Sequence, residues 1–272
     1  MRVLVTGSDG YIASGIIDEL LARGCEVVGW GLRESGREAP GYSERAADIF
    51  SATTDDLRAV GADALVHLAW RNGFRHADDS HVDDLPGHYH FLRRALEAGV
   101  PRVCVMGTMH EVGYHEGAVD ADTPCRPTTP YGVAKNALRQ LFLPMCEAAG
   151  AEGLWMRGFY LVSADGRGES IFSKIVRAAE SGQRTFPFTS GRPKYDFLPY
   201  GRFCEIAADK VLSGETGVTN VCSGRPVSLA EEVESFIRDN GLDIRLEYGA
   251  YPDRPYDSPA IWGSKTEGAF HD

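Results

Sequence analysis

The chain has 272 residues, 43% of them hydrophobic and 25% charged, with 28 Lys and Arg against 39 Asp and Glu for a net charge of −11. That length supports a sizeable core in one large domain or two small ones. The acidic balance argues against nucleic acid or an anionic membrane as partner. No apolar run approaches the ~20 residues that span a bilayer, no leader-like segment precedes the first strand, and the six scattered cysteines include no Cys-x-x-Cys pair, so a reduced, cytoplasmic protein is expected.

In chain order, the first predicted element is a buried parallel strand at Val3-Leu4-Val5. It runs into Thr6-Gly7-Ser8-Asp9-Gly10-Tyr11-Ile12-Ala13, and a helix follows with Ile12, Ile16, Leu20 and Ile17, Leu21 at helical spacing up to Gly24. Strand, tight glycine turn and helix form the context in which a pyrophosphate is bound at a helix N-terminus. Gly7 makes the turn, Gly10 lets the backbone approach the phosphates, and Ala13 stands where a third glycine would. An ordinary strand-to-helix connection with two glycines carries the same residues.

Further strands are predicted at 25–30, 64–69, 102–106 and 153–157, with helices at 85–98 and 131–149, the second kinked or ended by Pro144. This alternation gives a Rossmann-type, doubly wound parallel sheet with helices on both faces. On the second helix Tyr131 and Lys135 share one face, a turn apart. A phenol titrates near pH ~10, and a neighbouring ammonium lowers that value, which is one way to make a proton donor. After Leu161 the alternation weakens into a helix at 171–180 and a Gly-, Pro- and Arg/Lys-rich loop at 183–194.

Together these pieces resemble the extended short-chain dehydrogenases/reductases of the NAD-dependent epimerase/dehydratase type, which modify nucleotide sugars. The glycine turn resembles their cofactor loop, with Gly7, Asp9, Gly10, Tyr11 and Ile12 as contacts; Asp48-Ile49 resembles the pair that meets the adenine. His67-Leu68-Ala69-Trp70 resembles the His-Leu-Ala-Ala end of the fourth strand, and Asp196-Phe197-Leu198 and Asn220-Val221-Cys222-Ser223-Gly224 resemble two later landmarks. Thr108 falls five residues before Gly113, where the family keeps its catalytic Ser or Thr, and Tyr131 with Lys135 matches the active-site pair. The resemblance implies that Thr108 hydrogen-bonds the substrate oxygen while Tyr131 exchanges a proton with it. Lys135 would lower the Tyr131 pKa and hold the nicotinamide ribose, and Leu68, Ala69, Trp70, Phe159 and Tyr160 would line the cofactor. It also implies a dinucleotide domain at 1–160, rejoined by 196–225, and a smaller C-terminal substrate lobe from 161–195 and 226–272. A homodimer through helices 85–98 and 131–149 is expected on the same ground.

Departures from the family pattern narrow the expectation. The acidic residue usual at the end of the second strand is replaced by Gly31, and Arg33, with Arg37 nearby, supplies positive charge. A carboxylate there binds a ribose 2′-hydroxyl and repels a 2′-phosphate, so NADP(H) is favoured over NAD(H), unless Arg33 is only a solvated loop residue. Thr108-Met109-His110 replaces the Thr-Asp-Glu of sugar 4,6-dehydratases, removing the acid and base that water elimination needs. His110 is then an acid/base, an orienter of a sugar hydroxyl, or a packed neutral imidazole. Tyr160 and Asp84 stand where Asn is usual. Met109, His110, Tyr160 and Arg254 complete the expected substrate contacts, Arg254 facing a diphosphate with Tyr256 stacking beside it; a packed tail loop is the alternative. His67, His76, His81, His88, His90, His110 and His115 match no metal-ligand spacing, several reading as surface residues, and no metal is assigned. Three functions follow: a reductase of a nucleotide-linked keto-deoxysugar, an epimerase with tightly bound cofactor, or a non-catalytic dinucleotide sensor.

Overall fold

A computed structural model describes residues 1–253 and 257–265. The first half reads β1 (Arg2–Thr6), α1 (Tyr11–Ala22), β2 (Glu26–Gly31), β3 (Tyr42–Ala46), α2 (Thr54–Val60), β4 (Ala64–His67), α3 (Ser80–Asp83), α4 (Leu85–Glu97) and β5 (Arg102–Thr108). A 3-10 turn at Met109–Glu111 leads to β6 (Gly117–Val119), α5 (Pro130–Ala149), β7 (Glu152–Gly158), β8 (Tyr160–Val162), α6 (Ile171–Glu180) and β9 (Thr185–Pro187). The chain continues through β10 (Lys194–Pro199), α7 (Tyr200–Leu212), β11 (Gly217–Val221), β12 (Pro226–Ser228), α8 (Leu229–Asp239), β13 (Arg245–Glu247) and β14 (Ala260–Gly263).

Two compact units divide these elements: 1–112, 125–158 and 204–219 form the first, and 113–124, 159–203 and the described residues from 220 onward the second. The expected return through 196–225 is thus split, since β10 belongs to the second unit and 204–219 to the first. A seven-stranded sheet in the order β11-β7-β5-β4-β1-β2-β3 organises the first unit. Its pairings from β3 through β7 are parallel. Val3, Leu4 and Val5 of β1 and Val103, Cys104 and Val105 of β5 are fully buried, as strands covered by helices on both faces must be. Strand order reverses between β1 and β4, and in such sheets ligands settle outside the carboxyl ends of the strands at that switch. The doubly wound fold expected from the sequence is therefore present.

Element boundaries follow local chemistry. Thr53 and Asp56 form a capping box at the start of α2, which ends at the left-handed Gly61. Thr129 accepts the Gly132 N–H to cap α5, and left-handed Gly150 closes it. Pro144 does not end this helix, one of the two effects expected of it; it removes one N–H, yet the apolar face with buried Leu138, Phe142 and Cys146 carries the helix to Ala149, the end expected from the sequence. In the second unit β6, β14, β10 and β12 form one sheet, with β8 pairing β10 and β9 pairing β13. The fully buried Asp196 is its hub: its carboxylate accepts the N–H groups of Ser223 (2.6 Å), Gly224 (2.8 Å) and Gly263 (3.2 Å). Among the described residues no helix is long and apolar enough to cross a membrane.

Candidate active site

The catalytic candidates converge at the end of β5 in the first unit. Thr108 is the last residue of β5 and caps the 3-10 turn, accepting the His110 N–H at 3.3 Å. Glu111 completes that cap by accepting the Thr108 N–H at 3.4 Å. Its carboxylate is fully buried and also accepts from Trp155 Nε1 (2.8 Å) and Arg157 Nε (2.7 Å), with Arg139 3.6 Å away. The turn is thereby fixed from beneath by an ion pair that nothing in the sequence signalled.

Helix α5 brings Tyr131 and Lys135 to the same place. The Tyr131 N–H donates to the His76 carbonyl at 3.0 Å, and the Thr108 side chain stands near enough to its hydroxyl to favour the phenolate. Around the phenol ring stand His76 (centroids 5.1 Å, nearly parallel), His81 (5.0 Å), His110 (6.1 Å) and Trp70 (6.3 Å, edge-on). Lys135 is buried; its Nζ donates to the Met106 carbonyl at 2.8 Å and lies 3.9 Å over the Trp70 ring.

Electrostatics differ from the expectation that Lys135 lowers the Tyr131 pKa. Burial pushes the phenol up to about 12, the nearby Thr108 side chain works against that rise, and the Glu111 charge adds to it. Burial also brings Lys135 down to about 7, with Glu111 pulling the other way. Desolvation wins because the Lys135 ammonium is turned to a carbonyl and an aromatic face within a largely dry site. The phenol is accordingly neutral at pH 7.

Three of the histidines, His67, His81 and His88, are buried, while His90 is exposed. His67 joins Thr6 Oγ1 (2.8 Å) to His88 Nδ1 (3.0 Å), and burial lowers their pKa values to about 3 and about 2. Trp70 stacks on His88 at 4.4 Å and donates its indole N–H to His81 Nδ1 at 3.0 Å, while His81 Nε2 meets the Arg75 carbonyl at 3.0 Å. An indole only donates and a carbonyl only accepts, so His81 carries its proton on Nε2. Among the described residues no three His, Cys, Asp or Glu side chains converge on a metal position.

The glycine turn lies in the same unit. Gly7 has φ +70°, and a Cβ there would fall 2.8 Å from the Ala69 backbone; one on Gly10 would fall 2.9 Å from the Gly7 carbonyl oxygen. Gly10 caps α1 with no side chain in the way of Tyr11 and Ile12. Such an open backbone cradle at a helix N-terminus fits a dinucleotide pyrophosphate. Leu68 follows β4, its N–H donating to the Thr6 carbonyl at 3.2 Å. Asp48 is tied into its own turn by the Phe50 N–H at 2.9 Å, beside the buried Ile49. Met109 is buried. Phe159 and Tyr160 belong to the second unit, where Tyr160 packs against Tyr195 (4.8 Å) and Phe197 (5.7 Å). Arg254 and Tyr256 lie outside the described residues.

Comparison with known proteins agrees with this geometry. The model of the NAD dependent epimerase/dehydratase family matches residues 3–205. The dTDP-6-deoxy-L-talose 4-dehydrogenase (NAD(+)) of Aggregatibacter actinomycetemcomitans is 39% identical over 97% of this chain and 100% of its own. Among solved structures, MoeE5 in complex with UDP-glucuronic acid and NAD is 25% identical with a TM-score of 0.79, over 97% of this chain and 90% of its own. The Thermus thermophilus UDP-glucose 4-epimerase in complex with NAD shares the fold, with a TM-score of 0.80 at 21% identity over 97% of this chain and 90% of its own. With a family-model match over most of its length and a relative 39% identical over 97% of it, the chain belongs to the NAD dependent epimerase/dehydratase family.

Proposed function

We propose that this chain is a nicotinamide-dependent oxidoreductase that interconverts the 4-keto and 4-hydroxy forms of a nucleotide-linked 6-deoxyhexose. The observation that carries the reading is the Tyr131 phenol beside Thr108 and one helical turn from Lys135, in the unit that holds the glycine cradle. The substrate class is supported by the relative named as a dTDP-6-deoxy-L-talose 4-dehydrogenase, matched over its full length. Elimination chemistry is disfavoured because Met109 and His110 stand where a 4,6-dehydratase needs two carboxyl side chains.

Tyr131, neutral at pH 7, gives its proton to the keto oxygen on reduction and is left as a phenolate; oxidation is the reverse, with the phenolate taking the proton of the 4-hydroxyl. Thr108 shares that oxygen, its hydroxyl held by the His110 N–H. Lys135, half-discharged near neutrality by burial, is suited to hold a ribose hydroxyl and to return a proton to the phenol. A bound nicotinamide supplies or accepts the hydride at the reacting carbon. Trp70, His76, His81 and His110 surround the phenol ring, His81 from a buried position. A homodimer through α4 and α5 remains part of the proposal.

Activity is tested by following cofactor absorbance with a panel of nucleotide-linked 4-keto-6-deoxyhexoses and the matching 6-deoxyhexoses. Tyr131→Phe is expected to lower kcat by roughly 10²- to 10⁴-fold, the usual worth of a positioned acid, with dinucleotide affinity nearly intact. Unchanged turnover in that variant removes the catalytic assignment.

A further inference from the structure

The end of β2 carries a carboxylate, although the sequence has none there. An ideal Cβ on Gly31 would lie 2.6 Å from Asp9 Oδ1 and 3.0 Å from its Cγ. The side chain of Asp9, from the glycine turn, thus fills the space into which a residue at position 31 would project. Asp9 is exposed, and its carboxylate has no hydrogen-bond or ion-pair partner among the described residues.

Positive charge around this point is committed elsewhere. Arg37 donates to Asp18 at 2.8 Å and to the Ser14 hydroxyl at 3.1 Å. Arg45 lies 4.5 Å over the Trp30 ring and 3.5 Å from Asp56. The loop after β2 would otherwise offer a phosphate the N–H groups of Ser35 and Gly36 and the Ser35 hydroxyl. Glu44 already takes all three, at 3.0, 2.7 and 2.7 Å. Burial alone would raise the Glu44 pKa, yet these donors, with the Tyr42 hydroxyl, hold it down at about 2, so that anion does not leave by protonation near neutrality. Of the arginines in this neighbourhood only Arg33 is exposed and unengaged among the described residues.

We propose that Asp9 replaces the missing β2 carboxylate and selects NAD(H) over NADP(H), accepting the ribose 2′-hydroxyl and repelling a 2′-phosphate. This rests on the dinucleotide-binding reading of the glycine turn, and it reverses the NADP(H) preference drawn from Gly31 and Arg33. The family pattern put the carboxylate on the strand; the fold delivers it from the loop beside it. Charge-assisted hydrogen bonds and like-charge repulsion both act here, and together they are worth about a hundredfold in the ratio of affinities.

Direct binding tests this on the full chain, by titrating NADH and NADPH against intrinsic tryptophan fluorescence or by calorimetry. The wild type is expected to bind NADH at least about tenfold more tightly than NADPH. Asp9→Ala is expected to weaken NADH about tenfold, and Asp9→Asn to tighten NADPH. In Asp9→Ala/Gly31→Asp the carboxylate moves to the strand end, the steric conflict with Asp9 is gone, and NADH preference is expected to return. Wild-type preference for NADPH overturns the proposal. So does an equal loss of both dinucleotides in Asp9→Ala that the double variant does not restore. Wild-type binding of neither dinucleotide would instead remove the underlying cofactor reading, and the proposal with it.

Discussion

Glu111 shows what a single residue contributes without touching a ligand. A fully buried carboxylate is costly unless every oxygen is satisfied, and here Arg157, Trp155 and the Thr108 N–H satisfy it. Removing one partner of a buried pair leaves the other charge stranded, at a cost of about 3–5 kcal/mol. Glu111→Gln is therefore expected to lower the unfolding free energy by about 3 kcal/mol in denaturant titration, and Arg157→Met should add little to it in the double variant because the pair acts as one unit. Unchanged stability in Glu111→Gln would show that the carboxylate is not held charged. None of this was legible beforehand: nothing in the sequence marks Glu111, and its cationic partners lie in distant segments. Tyr131 and Lys135 were legible because their relation is local, four residues on one helix. Their electrostatics were not, because burial sets both pKa values and burial is a property of the packed chain. The histidine wall around the phenol went unseen for the same reason, its members His76, His81 and His110 coming from the loop after β4, from α3 and from the 3-10 turn.

Elements with a buried face were readable, and elements without one were not. Strands β1, β2, β4, β5 and β7 announce themselves as apolar runs, and α6 falls where its spacing places it. β3 alternates half-buried and exposed polar residues at the sheet edge, and the three-residue strands of the second unit are shorter than any periodicity. How elements meet is decided by single atoms. Where α5 crosses the 3-10 turn, a Cβ on Gly132 would overlap the His110 carbonyl oxygen and sit 2.9 Å from Pro127 Cβ. Helix propensity alone favours Gly132→Ala by ~1 kcal/mol, but backbone on one side and a rigid ring on the other leave no room to yield. The variant is expected to be less stable than wild type, and to lose about tenfold or more in kcat as Tyr131 is lifted from Thr108. NADH affinity, set at the glycine turn, should change little. A stabilised, fully active Gly132→Ala would show that the contact is slack.

At the scale of the molecule, the doubly wound sheet was legible because strands and helices alternate and the crossover rule leaves few topologies. The smaller lobe was expected only from the family resemblance, and its bounds were not legible, because it is gathered from three separated stretches around Asp196, whose donors are Ser223 and Gly224 of one landmark and Gly263 of the tail. One surface remains to be assigned. In the first unit α5 exposes Val133 and Leu141, which are 46% and 47% accessible, and α3 exposes Val82 at 54%. Apolar side chains left exposed on these helices, in a chain carrying −11 net charge, are what a self-complementary contact would cover. A two-fold interface on α4 and α5 repeats each such residue on both partners, so one charge introduced on the face is counted twice, like against like. Wild type is expected to sediment at twice the chain mass, and Leu141→Asp or Val133→Asp to shift the equilibrium toward monomer by at least about tenfold in Kd. A wild type that sediments as a monomer at micromolar concentration, or a dimer indifferent to both aspartates, would place the contact elsewhere or remove it. Because Tyr131 and Lys135 sit on the buried side of the same helix, the aspartate variants also separate assembly from catalysis: lost dimer with retained turnover would mean that each copy carries a complete site.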